Sequence, residues 1–110
     1  MATIDLTAEV CKPCESGVPP LDEEQIAGML PQVPGWVYEQ GHLQRAFDFK
    51  DYYQTISFVN AIAWLSNKEG HHPVLEVGFR QCTVKYWTHA IDGISDNDFI
   101  CAAKVNQLVA

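Results

Sequence analysis

Basic side chains are scarce in this sequence. Seven Lys and Arg stand against 14 Asp and Glu over 110 residues, for a formal charge of −7. Sequence-independent nucleic-acid binding needs a basic stripe that displaces counterions from phosphates, and seven scattered cations do not form one. The same shortage argues against attraction to an anionic membrane surface. Long apolar runs are also missing, so no segment supplies the roughly 20 consecutive apolar residues of a membrane span. The stretch Met1 to Val10 carries Asp5 and Glu9 but no cation, unlike a secretory signal, and the expected compartment is the cytoplasm. Cysteines are few: Cys11, Cys14, Cys82 and Cys101. In a cytoplasmic setting they read as thiols or metal ligands rather than disulfides.

What remains is the composition of a folded domain, 47% hydrophobic and 19% charged. The length suits one domain. A domain this small buries only about 60–70% of its unfolded surface, which favours oligomerisation. Residues 1–20 read as a flexible leader, because Pro13, Gly17, Pro19 and Pro20 break any regular element. The globular part is then 21–110.

Asp22 and Gln25 form a capping-box pattern with Leu21 and Ile26 at the staple positions. They start a helix that Pro31 and Pro34-Gly35 end. Trp36 to Glu39 and His42 to Phe49 read as two strands around Gln40-Gly41, with Leu43, Arg45, Phe47 and Phe49 on one side. Asp51 to Glu69 is a helix by the spacing of Tyr52, Ile56, Val59, Ile62, Ala63 and Ser66, widened by Phe58, Ala61 and Leu65. Gly70 is placed to end it in a left-handed conformation. A second hairpin pairs Val74 to Phe79 with Cys82 to Thr88 around Arg80-Gln81. On its later strand Cys82, Val84, Tyr86 and Thr88 share one face, and Thr83, Lys85, Trp87 and His89 the other. A last helix runs from Ser95 to about Val109. Grouped hairpins separated by helices predict an α+β fold with an antiparallel sheet and helices on one face.

The chemistry concentrates at Glu69-Gly70-His71-His72-Pro73, a helix-to-strand junction of the kind that carries function. His89 ends the following hairpin and is able to return to the same edge. Asp98 opens the last helix. Taken singly, each has a plain structural reading. Histidines in loops are more often solvated than catalytic, Asp98 fits the capping pattern Ser95-x-x-Asp98, and His42 beside Gly41 reads as merely exposed.

The joint pattern carries more. His71-His72-Pro73, then Thr88-His89, then Ile94-Ser95-Asp96-Asn97-Asp98-Phe99-Ile100 is similar to the active-site signature of pterin-4a-carbinolamine dehydratases of the bacterial type. The resemblance covers about Leu21 to the C-terminus. It implies a four-stranded antiparallel sheet with three helices on one face in the order α-β-β-α-β-β-α. It implies a 4a-hydroxytetrahydropterin substrate and loss of water to give quinonoid dihydropterin, without a cofactor. By the family motif His71, His72, Pro73, Thr88 and His89 line the pterin site, and Asp98 takes the place of the acidic partner. An aromatic amino acid hydroxylase is the implied partner. One position departs: Asn67 stands where the family usually has an acid. Glu69, two residues later, points elsewhere on a helix and does not substitute simply.

Dehydration of a carbinolamine needs a proton delivered to the 4a-hydroxyl and another removed from N5. Imidazoles, with an unperturbed pKa of about 6.5, suit both tasks. Two of His71, His72 and His89 are expected to act as acid and base while the third positions the ring, with Asp98 orienting one of them. The chemical rival is a zinc site drawn from His71, His72, His89 and Asp98, whose adjacent histidines do not match common zinc spacings. Cys11-Lys12-Pro13-Cys14 is half a zinc site, which a second leader from another subunit would have to complete. The rival of another class is a non-enzymatic binding protein of the same fold, a transcription cofactor or an assembly factor. The broad apolar surface of the long helix favours a homodimer or homotetramer.

Overall fold

A computed structural model describes residues 5–13 and 18–110. Helix α1 (Glu23–Met29) is followed by β1 (Val37–Glu39) and β2 (His42–Asp48). Helix α2 (Tyr52–Glu69) leads to β3 (Val74–Val77) and β4 (Gln81–Tyr86), and α3 (Asp96–Leu108) closes the chain. The four strands form one antiparallel sheet in the order β1-β2-β4-β3. This is the predicted α+β architecture and element order.

The sheet has one dry face. Leu43 and Phe47 of β2 and Cys82, Val84 and Tyr86 of β4 are buried against the helices. Gln44 and Lys85, paired across the same two strands, face the other way and are only partly covered. Arg45 interrupts the apolar side of β2 without harm. Its guanidinium lies 4.4 Å from the centroid of Phe47 and donates to the Pro34 carbonyl and to Asn106 Oδ1. Asn106 Oδ1 also accepts from the Trp36 indole, so one amide ties α3 to the entrance of β1.

Several boundaries differ from the sequence reading. Trp36 precedes β1 and is a core residue. The second hairpin turns at residues 78–80, where the Gly78 N–H donates to the Gln81 carbonyl, not at Arg80-Gln81. β4 ends at Tyr86, and Thr88 instead bridges to Gly93, which folds the chain into a short 3-10 turn, His89–Ile91. On α2 the buried residues are Thr55, Phe58 and Ile62, whereas Tyr52 is exposed. Hydrophobicity could not flag Thr55: its hydroxyl donates to the Asp51 and Phe79 carbonyls, and that pairing permits burial. Tyr53 and Trp64, on the same helix, are 80% and 73% exposed.

The leader also departs from expectation over its described part. Leu6 opens a 3-10 turn, Leu6–Ala8, and is buried in the core, where this turn contacts α3. The segment then runs as a strap to residue 13. Cys14 lies outside the described residues, so a C-x-x-C arrangement is not defined. Among the described residues, no helix is long and apolar enough to cross a membrane.

The caps fix where the functional loops begin. Asp22 and Gln25 exchange the two reciprocal bonds of a capping box at α1. Gly70 ends α2 at φ 67° and ψ 27°, and both its N–H and that of His71 donate to the Ser66 carbonyl. An added Cβ at Gly70 meets nothing within 4 Å, so the requirement is conformational rather than steric. Gly70→Ala should therefore lower unfolding free energy by about 1 kcal/mol and Gly70→Asn by less, as read by urea denaturation.

Candidate active site

The site begins at the end of α2. The left-handed turn at Gly70 throws His71 inward and leaves His72 at the surface. His71 lies nearly parallel to the buried Tyr86 ring, with centroids 5.7 Å apart and planes 12° apart. Its Nε2 is 2.6 Å from Asp98 Oδ1. With a carboxylate as acceptor, the proton of this contact sits on Nε2, which fixes the tautomer of a neutral ring and turns Nδ1 into the acceptor.

Asp98 is 0% exposed. Its second oxygen, Oδ2, accepts from the Thr88 hydroxyl at 2.8 Å and from the Ser95 N–H at 2.9 Å. The two oxygens of Asp98 are thus engaged separately. Oδ2 closes the capping box of α3, and Oδ1 holds His71. Thr88 additionally shares a hydrogen bond with the Ser95 hydroxyl at 2.7 Å. Thr88 is therefore a buried link between the end of the β hairpin and the helix.

His89 returns to the 71–72 turn. The rings of His72 and His89 are 6.4 Å apart by centroid, and both line a hollow of about 360 Å³ together with His71, Trp87 and Thr88. That volume lies in the range typical of small-molecule sites. Pro73 shapes the turn and is not among the lining residues; Asp98 sits behind His71. His42, read from sequence as exposed, is half-buried and stacks on Trp87 at 4.2 Å, and Trp87 in turn lies 4.6 Å from His89. Trp87 was legible as a face-mate of His89, but nothing marked it as a lining residue.

The far wall comes from the strap, and no local sequence signal announced it. Cys11, Lys12 and Pro13 line the hollow. The Cys11 N–H donates to Glu69 Oε1 at 3.1 Å, and Lys12 is gripped at both backbone groups by the side-chain amide of Asn97. Glu69 Oε2 accepts from Lys104 at 2.9 Å. Burial pushes the Glu69 carboxyl up, but the Lys104 hydrogen bond, the Cys11 N–H and the Lys104 charge outweigh it and hold the group below its ordinary 4.5. Glu69 thus stands at the hollow with its oxygens engaged. Asn67 is exposed and away from the lining. Among the described residues, no group of three or more His, Cys, Asp or Glu is gathered closely enough to hold a metal ion.

The hollow lined by His71, His72 and His89, with His71 bonded to the buried Asp98, thus sits on an open antiparallel sheet with three helices. A model of the family described as pterin 4 alpha carbinolamine dehydratase matches residues 19–108. A Nitrosomonas europaea protein is 56% identical over 105 residues, spanning 94% of this chain and 93% of its own. A Nitrosospira multiformis protein is 52% identical over 104 residues, spanning 94% of this chain and 92% of its own. Both are named for pterin-4-alpha-carbinolamine dehydratase. The chain belongs to this hydro-lyase family. Among solved structures, a transcriptional coactivator/pterin dehydratase from Brucella melitensis superposes with a TM-score of 0.79 at 26% identity, covering 83% of this chain and 99% of its own. A pterin dehydratase-like RuBisCO assembly factor of the alpha-carboxysome gives 0.57 at 25% identity, covering 68% of this chain and 87% of its own.

Two stability outcomes follow from these contacts. Asp98→Ala strands the Thr88 hydroxyl, the Ser95 N–H and His71 at once, and should cost about 2–4 kcal/mol in urea denaturation, with Asp98→Asn recovering part. Glu69 has a depressed folded-state pKa, so its contribution is present above the ordinary carboxyl range and lost as pH falls through the lower folded value. Glu69→Gln should therefore flatten the acid limb of a stability–pH profile below about pH 4.5 while leaving the profile near neutrality parallel to that of the parent.

Proposed function

We propose that the hollow binds the bicyclic head of a 4a-hydroxytetrahydropterin and that its histidines expel water to give the quinonoid dihydropterin. The supporting observation is the gathering of His71, His72 and His89 from two distant segments around one hollow, with Asp98 locked behind His71.

The reaction breaks the C4a–O bond and forms C4a=N5. An acid gives a proton to the leaving hydroxyl, and a base takes the proton from N5. The two atoms are neighbours on one ring edge, so rings on either side of the hollow, like those of His72 and His89, are spaced to serve them. His71 differs from both. Its Nε2 is committed to Asp98 and its face rests on Tyr86, which leaves it one orientation and one free nitrogen. Asp98 thereby acts as a positioning residue, like the carboxylate of a hydrolase triad. Two of the three imidazoles carry the proton transfers and the third positions the ring. Trp87 supplies an aromatic surface beside His89 on which a pterin can lie. No charge from position 67 assists, because the Asn67 amide is neutral, and the residue is not among those lining the hollow.

The setting we infer is cytoplasmic recycling of tetrahydrobiopterin oxidised by an aromatic amino acid hydroxylase, with the enzyme a homodimer or homotetramer. The exposed Tyr53 and Trp64 of α2 and the edge strand β3, with Val74 and Val77 exposed, are the surfaces that favour self-association.

Stopped-flow dehydration of a freshly generated 4a-hydroxytetrahydropterin tests the reading. Replacing either His71 or His89 by Ala should lower the catalysed rate by about 10²-fold or more, and replacing both should return it to the uncatalysed rate. Parent-like turnover in the double variant defeats the assignment. Absence of turnover in the parent chain, with a macromolecular partner co-purifying, would favour the binding role that the names of the two solved relatives carry.

A further inference from the structure

The strap brings a thiol to the wall of the hollow. Cys11 lines it, and its Sγ lies 3.4 Å from the Sγ of Cys101, a residue 90 positions later on α3. Both are free thiols. Their exposure differs: Cys101 is completely buried, whereas Cys11 is half-buried and faces the hollow. Cys101 shares its hydrogen bond with Cys11 and lies among buried groups. That bond, the burial, and the charges of Cys11, Glu69 and Asp98 all hold its thiol above the usual range. A dissolved oxidant therefore meets Cys11 first, and the sulfur nearest to any adduct formed there is that of Cys101. No covalent bond holds the strap at this point. It is fastened by the Cys11 N–H on Glu69 and by the two Lys12–Asn97 bonds.

We propose that Cys11 and Cys101 are a reversible dithiol modification site, which a small-molecule disulfide converts into a bond pinning the strap to α3 across one wall of the hollow. Cys11 attacks one sulfur of the reagent, releasing one thiol and leaving a mixed disulfide on Cys11. The Cys101 sulfur then attacks the Cys11 sulfur and expels the second thiol, which carries away the Cys101 proton. Two protein thiols are oxidised and one disulfide is reduced to two thiols, so no other oxidant is required. A disulfide needs sulfurs about 2.05 Å apart, so the pair must close by a little over an ångström. The strap, anchored among the described residues by its 3-10 turn, by the packing of Leu6 and Cys11 and by the hydrogen bonds of Cys11 and Lys12, is the element that can move. The modification leaves His71, His72 and His89 chemically untouched and acts on how often the wall opens.

The test uses the full-length protein titrated with glutathione disulfide and followed by intact mass, peptide mapping and hydrogen exchange. The expected product has lost two hydrogens, carries a single intramolecular Cys11–Cys101 link and reverts with dithiothreitol. Exchange at the Cys11 and Lys12 amides should slow by about tenfold or more on oxidation, because local opening of the strap is then suppressed. Cys14→Ser should form the same link, and Cys101→Ala should stop at glutathione on Cys11. If Cys101→Ala fails to fold, the map of the parent protein still decides. A Cys11–Cys14 link, a stable mixed disulfide on Cys11 of the parent, or unchanged exchange on oxidation would each overturn the proposal. None of these measurements reads dehydration, so their outcome stands apart from the catalytic reading.

Discussion

One buried carboxylate joins the scaffold to the chemistry. Asp98 has no water to solvate it, so both of its oxygens must find donors within the protein. Oδ2 finds them in the backbone of Ser95 and the hydroxyl of Thr88, and Oδ1 finds one in His71. The first turn of α3, the end of the second hairpin and the imidazole of the α2–β3 turn are thereby fixed to a single group. The helix cap and the orientation of the histidine are held by the same buried residue, and neither can be altered without disturbing the other.

Much of this was legible in the sequence because it depends on local rules. Capping patterns located the starts of α1 and α3, Gly70 located the end of α2, and period-two alternation put Cys82, Val84 and Tyr86 on one face of β4, which is the buried one. His71, His72 and His89 were found through a motif, and the fold brings them to one hollow. What escaped were contacts made across long separations. Thr55 is polar, and its burial depends on a carbonyl 24 residues away. His42 stacks on a tryptophan of the other hairpin. The strap was read as part of a loose leader because it runs into the breaker-rich stretch Lys12 to Pro20. Its order comes from Glu69 and Asn97, which no reading of residues 5–13 reveals.

The hollow is consequently of two origins. Its histidine side and floor come from the region matched by the family, residues 19–108, whereas Cys11, Lys12 and Pro13 come from before it. The Brucella melitensis structure corresponds over 99% of its length to only 83% of this chain, while the Nitrosomonas europaea relative spans 94%. The histidine cluster is thus built within the matched domain, and the strap adds a wall to it from outside. That division separates the histidine side of the hollow from the wall that faces it.

The order β1-β2-β4-β3 sets when during folding the site comes into being. β2 lies beside β4 rather than β3, so the centre of the sheet is a pairing of segments separated by the whole of α2 and the β3 strand. Such non-local pairing is slow to form, because the entropy of closing the loop is lost before the contacts compensate for it. Trp87, Thr88 and His89 follow directly on β4, and Asp98 belongs to α3. His71 therefore gains its Asp98 partner, and His72 its neighbour His89, only once that central pairing and α3 have formed.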